Sequence, residues 1–443
     1  MNKIKSFLNK KRNLCHETDE MNSYVKKMHL YKERLISDEF YERKWQAMKC
    51  RYPKINLYGI EMGAVGESTP RLMRMVYDLR ENKLNRLELH VVLPVFAETY
   101  KGGVFNERAL EVFNQYMYII DDGNIDFWIY VLEKHKSEIN MSSFSRYRFR
   151  EAGYIVTEMG RPLIQLPANL KSEAEIKFAE LYIKGEFVCI HAREKNEKKI
   201  NYGEEYARET MISNCNINSF QKACLYLQQE EIQTVRMGKF ECSECTIPGV
   251  IDYANKYYDE LMDFYLLQNC KFMVASNSGL WVLPGYFGRP CIIVNAVGMN
   301  TGWESCVFME QNMYIPKKFW SEEKRRCLNL YEVLNIVDEC HVYYSNYREK
   351  KVSLIDNTEE EIYEAVMEMN LRLDGKWQES AEEKECMQKY RDIIKRWYKE
   401  HSYSKERKKF RMKGYTMNES RISWNYLKDN LYLLEIDDVL LQE

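Results

Sequence analysis

The chain has 443 residues, 45% hydrophobic and 30% charged, with 65 Lys and Arg against 67 Asp and Glu. That composition is ordinary for a globular protein, and the length allows two cored domains plus an extension. The near-neutral balance lacks the basic surplus of a nucleic-acid binder. No apolar run approaches the ~18 residues of a membrane span, and Met1-Asn-Lys-Ile-Lys-Ser6 lacks a signal peptide's apolar core, so a cytoplasmic protein is expected.

The 13 cysteines are scattered and odd in number, as expected of reduced core residues in such a compartment. The one C-x-x-C, Cys242 with Cys245, joins Cys215 and Cys224 in no familiar zinc spacing, and no metal is expected.

Residues 1–50 read as a helical arm, with Tyr24, Met28, Tyr31 and Leu35 at helical spacing. Residues 51–167 read as a Rossmann-like domain. In it Ile55 to Ile60 is a strand, Gly63 and Gly66 lie in a tight loop, and Ser68 and Thr69 cap a helix opening at Pro70. Leu87 to Pro94 is its second strand, and Ile125 to Leu132 has strand character. The loop is G-x-x-G without a third glycine, which departs from the dinucleotide fingerprint and suggests a substrate-facing loop. Glu67 there is either a general base or a complement to the helix N-terminus.

From 168 to 355 the alternation of strand and helix is regular. Strands are expected at Phe187 to Ile190, Ile232 to Arg236, Phe272 to Ala275 and Cys291 to Val294, with helices at Lys171 to Ile183, Asn218 to Gln229 and Asp259 to Asn269. That pattern predicts an α/β class with a parallel sheet, whose ligands sit at the carboxyl ends of the strands. Three such ends carry His191-Ala-Arg193-Glu194, Arg236-Met-Gly238-Lys239 and Ser276-Asn277-Ser278-Gly279. Arginine forks suit phosphate oxygens, and a glycine-bearing turn opening a helix suits an anion. Each also has a plain structural reading: His191 as a strand cap, Arg193 and Arg236 paired with Glu194 or Asp252, and the Ser276 to Ser278 turn as a helix cap.

Residues 356–443 read as a helical extension. Its elements are a well-capped helix over Asp356 to Met369, with Thr358 standing before three glutamates, charged helical sequence to about Lys409, and a docking segment from Arg421 to Asn430. The run Lys405 to Arg411 reads as a solvated face.

With these residues in view, the chain resembles a family of bacterial glycosyltransferases encoded with surface-polysaccharide genes. The likeness rests on Phe187 to Arg193, Val235 to Gly238, Ile251-Asp-Tyr253, Asp263 to Phe272, Ser276 to Leu280, Arg289-Pro290, Asn295, Asp356-Asn-Thr358 and Arg421-Ile-Ser423. It implies a GT-B-like fold of two Rossmann-like domains facing across a cleft, with the nucleotide sugar held mainly by the second. The His191-x-Arg193 pair is similar to a motif of protein O-fucosyltransferases, which implies a donor-diphosphate contact for Arg193. One departure is Glu194, where family members often carry Asp.

The implied reaction moves a sugar from a nucleotide-sugar donor to a glycan or lipid-linked acceptor, with the donor as co-substrate and no separate cofactor. Donor binding falls to His191, Arg193, Arg236, Gly238, Lys239, Ser276, Asn277, Ser278 and Gly279. The acceptor side falls to Gly63 and Gly66. Glu67 and Arg193 are the catalytic candidates, Glu67 as the base if the reaction inverts. A lipid acceptor implies peripheral association with the inner face of the membrane. Two other readings stay open, a sugar-nucleotide epimerase of similar build and a nucleotide-sugar-binding scaffold without chemistry. Inversion or retention, the donor, the acceptor and the oligomeric state are not legible.

Overall fold

The computed structural model describes residues 37–63, 65–95, 106–121, 123–143, 155–156, 162–194, 199, 203–239, 242–297, 307–308, 311–340, 343–401 and 420–436. The chain divides into two compact units, Met1–Gly153 and Tyr154–Glu443, a division earlier than the 167/168 boundary expected from composition.

In the first unit, helix α1 (Asp38–Arg51) starts at Ser37, whose hydroxyl accepts from the Phe40 N–H. Its Tyr41 and Trp45 are buried, Trp45 stacks on His135 at 5.1 Å, and Glu42 accepts a hydrogen bond from the Tyr130 hydroxyl at 2.5 Å. This part of the expected N-terminal arm is therefore integrated into the first unit's core. Tyr24, Met28, Tyr31 and Leu35 lie outside the described residues.

Strand β1 (Ile55–Glu61), helix α2 (Val65–Arg80), strand β2 (Leu89–Val95), helix α3 (Glu107–Phe113), strand β3 (Tyr118–Ile119) and helix α4 (Ile125–Lys134) follow. The strands form a parallel sheet in the order β1-β2-β3, with Ile55 opposite Leu89. Two expectations are corrected here. Ile125 to Leu132 is helical, because seven of its eight residues are apolar and every one but Asp126 is buried; an apolar run without alternation fits a buried helix as well as a strand. Helix α2 opens at Val65, so Ser68 and Thr69 are helical and Pro70 lies within the helix, where it cannot donate to the Gly66 carbonyl.

The second unit begins with β4 (Ile155–Val156), α5 (Ala168–Ala179), β5 (Phe187–His191), α6 (Glu204–Glu209), α7 (Gln221–Gln229) and β6 (Gln233–Arg236). It continues through α8 (Tyr253–Lys256), α9 (Glu260–Asn269), β7 (Met273–Ser276), α10 (Leu283–Tyr286), β8 (Cys291–Ala296), β9 (Val307–Phe308) and β10 (Met313–Pro316). After these come β11 (Lys318–Ser321), β12 (Arg326–Cys327), α11 (Leu330–Cys340), α12 (Tyr344–Glu349) and β13 (Val352–Ile355). The last elements are α13 (Glu359–Leu373), α14 (Ala381–Glu400), β14 (Arg421–Ile422) and α15 (Trp424–Asp429).

The main sheet is parallel throughout, in the order β14-β10-β8-β7-β5-β6. Its strands are buried on both faces, which is why they read as short apolar runs. The α/β class with parallel sheets expected from the sequence is the class observed. A smaller antiparallel sheet, β12-β11-β13, stands beside it.

The C-terminal elements build this unit. Thr358 and Glu361 close a capping box on α13, and β14 completes the main sheet as an edge strand. Asn295, at a φ of 52°, and Asn357 exchange backbone-to-side-chain hydrogen bonds of 2.6 and 2.7 Å, tying the end of β8 to the start of α13. Glu368, fully buried, accepts from Arg372 at 2.9 Å with one oxygen, and from the Ser423 hydroxyl at 2.6 Å and the Asn425 N–H at 3.1 Å with the other. Glu368→Gln converts one acceptor into a donor facing donors and is expected to cost about 1–3 kcal/mol, read by urea unfolding. An unchanged midpoint would mean that the tail is held otherwise. The run Lys405 to Arg411 lies outside the described residues, and among those described no helix is long and apolar enough to cross a membrane.

Candidate functional site

Counted in chain order, the strands of the main sheet follow the pattern 2-1-3-4-5-6, with β5 first, β6 second and β7 third. In such a sheet the connections leave β5 and β7 toward opposite sides, and a crevice opens at their carboxyl ends. The registers place Ile190 beside both Arg236 and Val274, and His191 beside Ala275. The three segments singled out in the sequence therefore meet at one sheet edge. A direct bond joins two of them: the Arg193 N–H donates to the Ser276 hydroxyl at 2.7 Å.

Arg236 does not stand free at that edge. It is 1% exposed, and its guanidinium donates to the Ser243 carbonyl at 2.6 Å, to Asp252 at 3.1 Å and to Glu194 at 3.0 Å. Glu194 accepts two further bonds, from the N–H and hydroxyl of Ser243, each at 2.7 Å. Arg236, expected from the sequence to contact phosphate, here forms a buried ion triad that pins the segment from Ser243 to Asp252. Glu194, the longer acid noted in the sequence, belongs to that triad.

Arg193 is placed differently. It is half-buried, its guanidinium donates to the Thr210 hydroxyl at 3.0 Å, and that hydroxyl donates to the Tyr206 carbonyl at 3.0 Å. Thr210 steadies it with a neutral oxygen. His191, buried at the end of β5, donates from Nδ1 to the Met237 carbonyl at 3.1 Å.

Gly238 has φ +149°, and a Cβ there would stand 2.9 Å from Cys242 Sγ and 3.3 Å from Ala254. Only glycine fits that approach. Lys239 is exposed, with Nζ 3.6 Å from Glu260.

The turn after β7 differs from the expected helix N-terminus. Gly279 leads into a three-residue 3-10 turn and then α10, four residues long and carrying Pro284 and Gly285. So short a helix sums few peptide dipoles. Asn277 is buried, the Ser278 N–H donates to the Ser276 carbonyl at 2.7 Å, and the buried Ser278 hydroxyl has no hydrogen-bond partner. An orphaned buried hydroxyl is uncommon enough to mark a place for a ligand or water.

In the first unit, Gly63 follows the carboxyl end of β1, while Gly66 and Glu67 are the second and third residues of α2 rather than part of a loop. The Glu67 side chain lies outside the described residues. Cys215 and Cys224 are buried, and burial raises their thiols, Cys215 to about 11 and Cys224 to about 12. Among the described residues no group of three His, Cys, Asp or Glu is placed to hold a metal ion.

The residue missed in the sequence is Asp263, buried in the first turn of α9 against Tyr253 at 3.1 Å. Its burial raises the carboxyl to about 8, against the charge of Lys239. A lone acid inside the apolar run Leu261 to Leu267 was the available signal.

No family model matches this chain, and no curated protein matches it in sequence. Among solved structures it is similar to the E. coli ADP-heptose LPS heptosyltransferase II, at 13% identity over 54% of this chain and 84% of that one, with a TM-score of 0.29. It is also similar to a family 9 glycosyltransferase of Veillonella parvula, at 10% identity over 60% of this chain and 86% of that one, with a TM-score of 0.34. An E. coli heptosyltransferase with ADP matches at 9% identity over 59% and 93%, with a TM-score of 0.30. At these identities and scores the likeness assigns no substrate, donor or residue role to this chain.

Proposed function

We propose that this chain is a metal-independent glycosyltransferase that moves a sugar from a nucleotide-sugar donor to a glycan or lipid-linked acceptor in bacterial surface-polysaccharide synthesis. The observation that carries the reading is the bond, at the β5/β7 switch point, from the Arg193 backbone N–H to the Ser276 hydroxyl, which sets Arg193 beside the turn that carries the buried Ser278 hydroxyl. A cation with fixed geometry beside small polar groups is what a diphosphate needs.

In this reading the bond between the sugar C1 and the diphosphate oxygen breaks, and its electron pair leaves with the diphosphate. Arg193, steadied by Thr210, and Lys239 stabilise the growing charge. His191 and Gly238 shape the wall, and Asn277, Ser278 and Gly279 line the phosphate side. Arg236 serves indirectly by fixing the segment behind Lys239. In this reading the first unit takes the acceptor near Gly63 and Gly66. The acceptor oxygen bonds to C1 and yields its proton to Glu67.

The test incubates purified protein with UDP-, GDP-, ADP- and CMP-sugars, with and without lipid-linked acceptor, and reads free nucleotide and sugar identity. Release that requires acceptor is expected. A changed sugar without acceptor would establish the epimerase instead, and binding without turnover the scaffold. Glu67→Gln is expected to lower transfer by about 10²–10⁴-fold with donor affinity kept; near-normal transfer would remove Glu67 from the mechanism.

A further inference from the structure

We propose that Asp263 is a positioning residue that holds a proton at neutral pH, and that this proton ties α9 to Tyr253 behind the Lys239 segment. Tyr253 is fully buried, and its hydroxyl oxygen lies 2.5 Å from the Asp259 carbonyl, 3.0 Å from the Asp259 N–H and 3.1 Å from Asp263 Oδ1. The N–H can only donate and the carbonyl can only accept. The single phenolic hydrogen goes to the nearer acceptor, the Asp259 carbonyl. The contact with Asp263 then needs a hydrogen from the carboxyl itself. An ionised carboxylate there would face the phenol oxygen with no hydrogen between them.

The surroundings agree. Asp263 is 8% exposed, and the residues flanking it in α9, Met262 and Phe264, are each 1% exposed. Cys189 lies near it on β5, and the connection from α8 to α9 brings Tyr258 against Tyr253 at 6.0 Å. Lys239, after β6, favours the anion, while Glu260 and Asp259 oppose it and burial opposes it most, so the balance falls on the neutral acid. Lys177 does not relieve this, because its ammonium is engaged by Asp259 at 2.6 Å and Glu173 at 3.0 Å.

Two consequences follow. A carboxyl whose folded pKa lies above its unfolded one contributes stability that is present below the ordinary carboxylate range, near 4, and is lost as the pH rises through about 8. When the proton leaves, Tyr253 is pulled between two acceptors and the Lys239 segment loses its backing. This second consequence, for ligand binding, rests on the functional reading above; the first does not.

The experiment compares wild type with Asp263→Asn, which keeps a donor toward Tyr253 but cannot ionise. Infrared difference spectra at pH 7 are expected to show a protonated carboxyl C=O band in wild type that shifts in D₂O, titrates away near pH 8 and is missing in Asp263→Asn. The band's titration in wild type alone gives the same reading if the variant folds poorly. The melting temperature of Asp263→Asn minus that of wild type is expected to grow between pH 5 and 9. A carboxylate band at pH 7, or a difference flat across that range, would overturn the proposal. ADP and UDP affinities are expected to fall above pH 8 in wild type only. Loss of binding by both proteins at every pH would instead count against the nucleotide-sugar reading, with the proton on Asp263 decided separately by the spectra.

Discussion

Arg236→Ala is expected to destabilise the second unit by about 3–5 kcal/mol, read as a lower urea midpoint. The size follows from what remains. Glu194 and Asp252 are both mostly buried, and without the guanidinium their carboxylates face each other across an emptied site. Arg236→Lys is expected to recover only part of the loss, since a point charge cannot replace a fork that bonds Asp252, Glu194 and the Ser243 carbonyl together. Wild-type stability with a specific loss of nucleotide affinity would instead place Arg236 on the ligand.

Arg193→Ala carries the opposite signature. Its guanidinium bond to the Thr210 hydroxyl is charge-assisted and contributes about 1.5–3 kcal/mol, less than the loss at Arg236, and the fold is expected to survive. Sugar transfer is expected to fall by about 10²–10³-fold, the usual cost of removing one preorganised group from a developing negative charge. Most of the loss is expected in kcat, because the diphosphate gains charge in the transition state. Steady-state kinetics with saturating donor distinguishes this from a change confined to KM.

The contrast between these two arginines shows what the sequence carried. The strands at Phe187, Met273 and Cys291 were legible because a parallel strand buried on both faces is a largely apolar run between turn residues. Their adjacency gave the edge at which His191, Arg193 and Ser276 meet. That Arg236 is spent on two carboxylates was not legible. Glu194 reaches Arg236 across 42 positions, and only the folded chain decides that it does.

Several residues behind the family resemblance turn out to be ties of this kind. Asp252 holds Arg236, Tyr253 meets Asp263, and Asn295 pairs with Asn357. They position the edge without lining it. Elsewhere the failures were local. Ile125 to Leu132 has no alternation to separate helix from strand, and Pro70 marked a helix start that lies five residues earlier, at Val65.

The central claim is that the edge around Arg193 holds the phosphates of a nucleotide sugar, and ligand-induced stabilisation tests it most directly. Wild type and Arg193→Ala are screened by thermal unfolding against UDP-, GDP-, ADP- and CMP-sugars. A nucleoside-diphosphate sugar at a hundred times its Kd is expected to stabilise wild type by about 2.7 kcal/mol, and Arg193→Ala is expected to lose most of that shift at the same concentration. Equal stabilisation of both proteins, or no shift with any nucleotide sugar, would contradict the account.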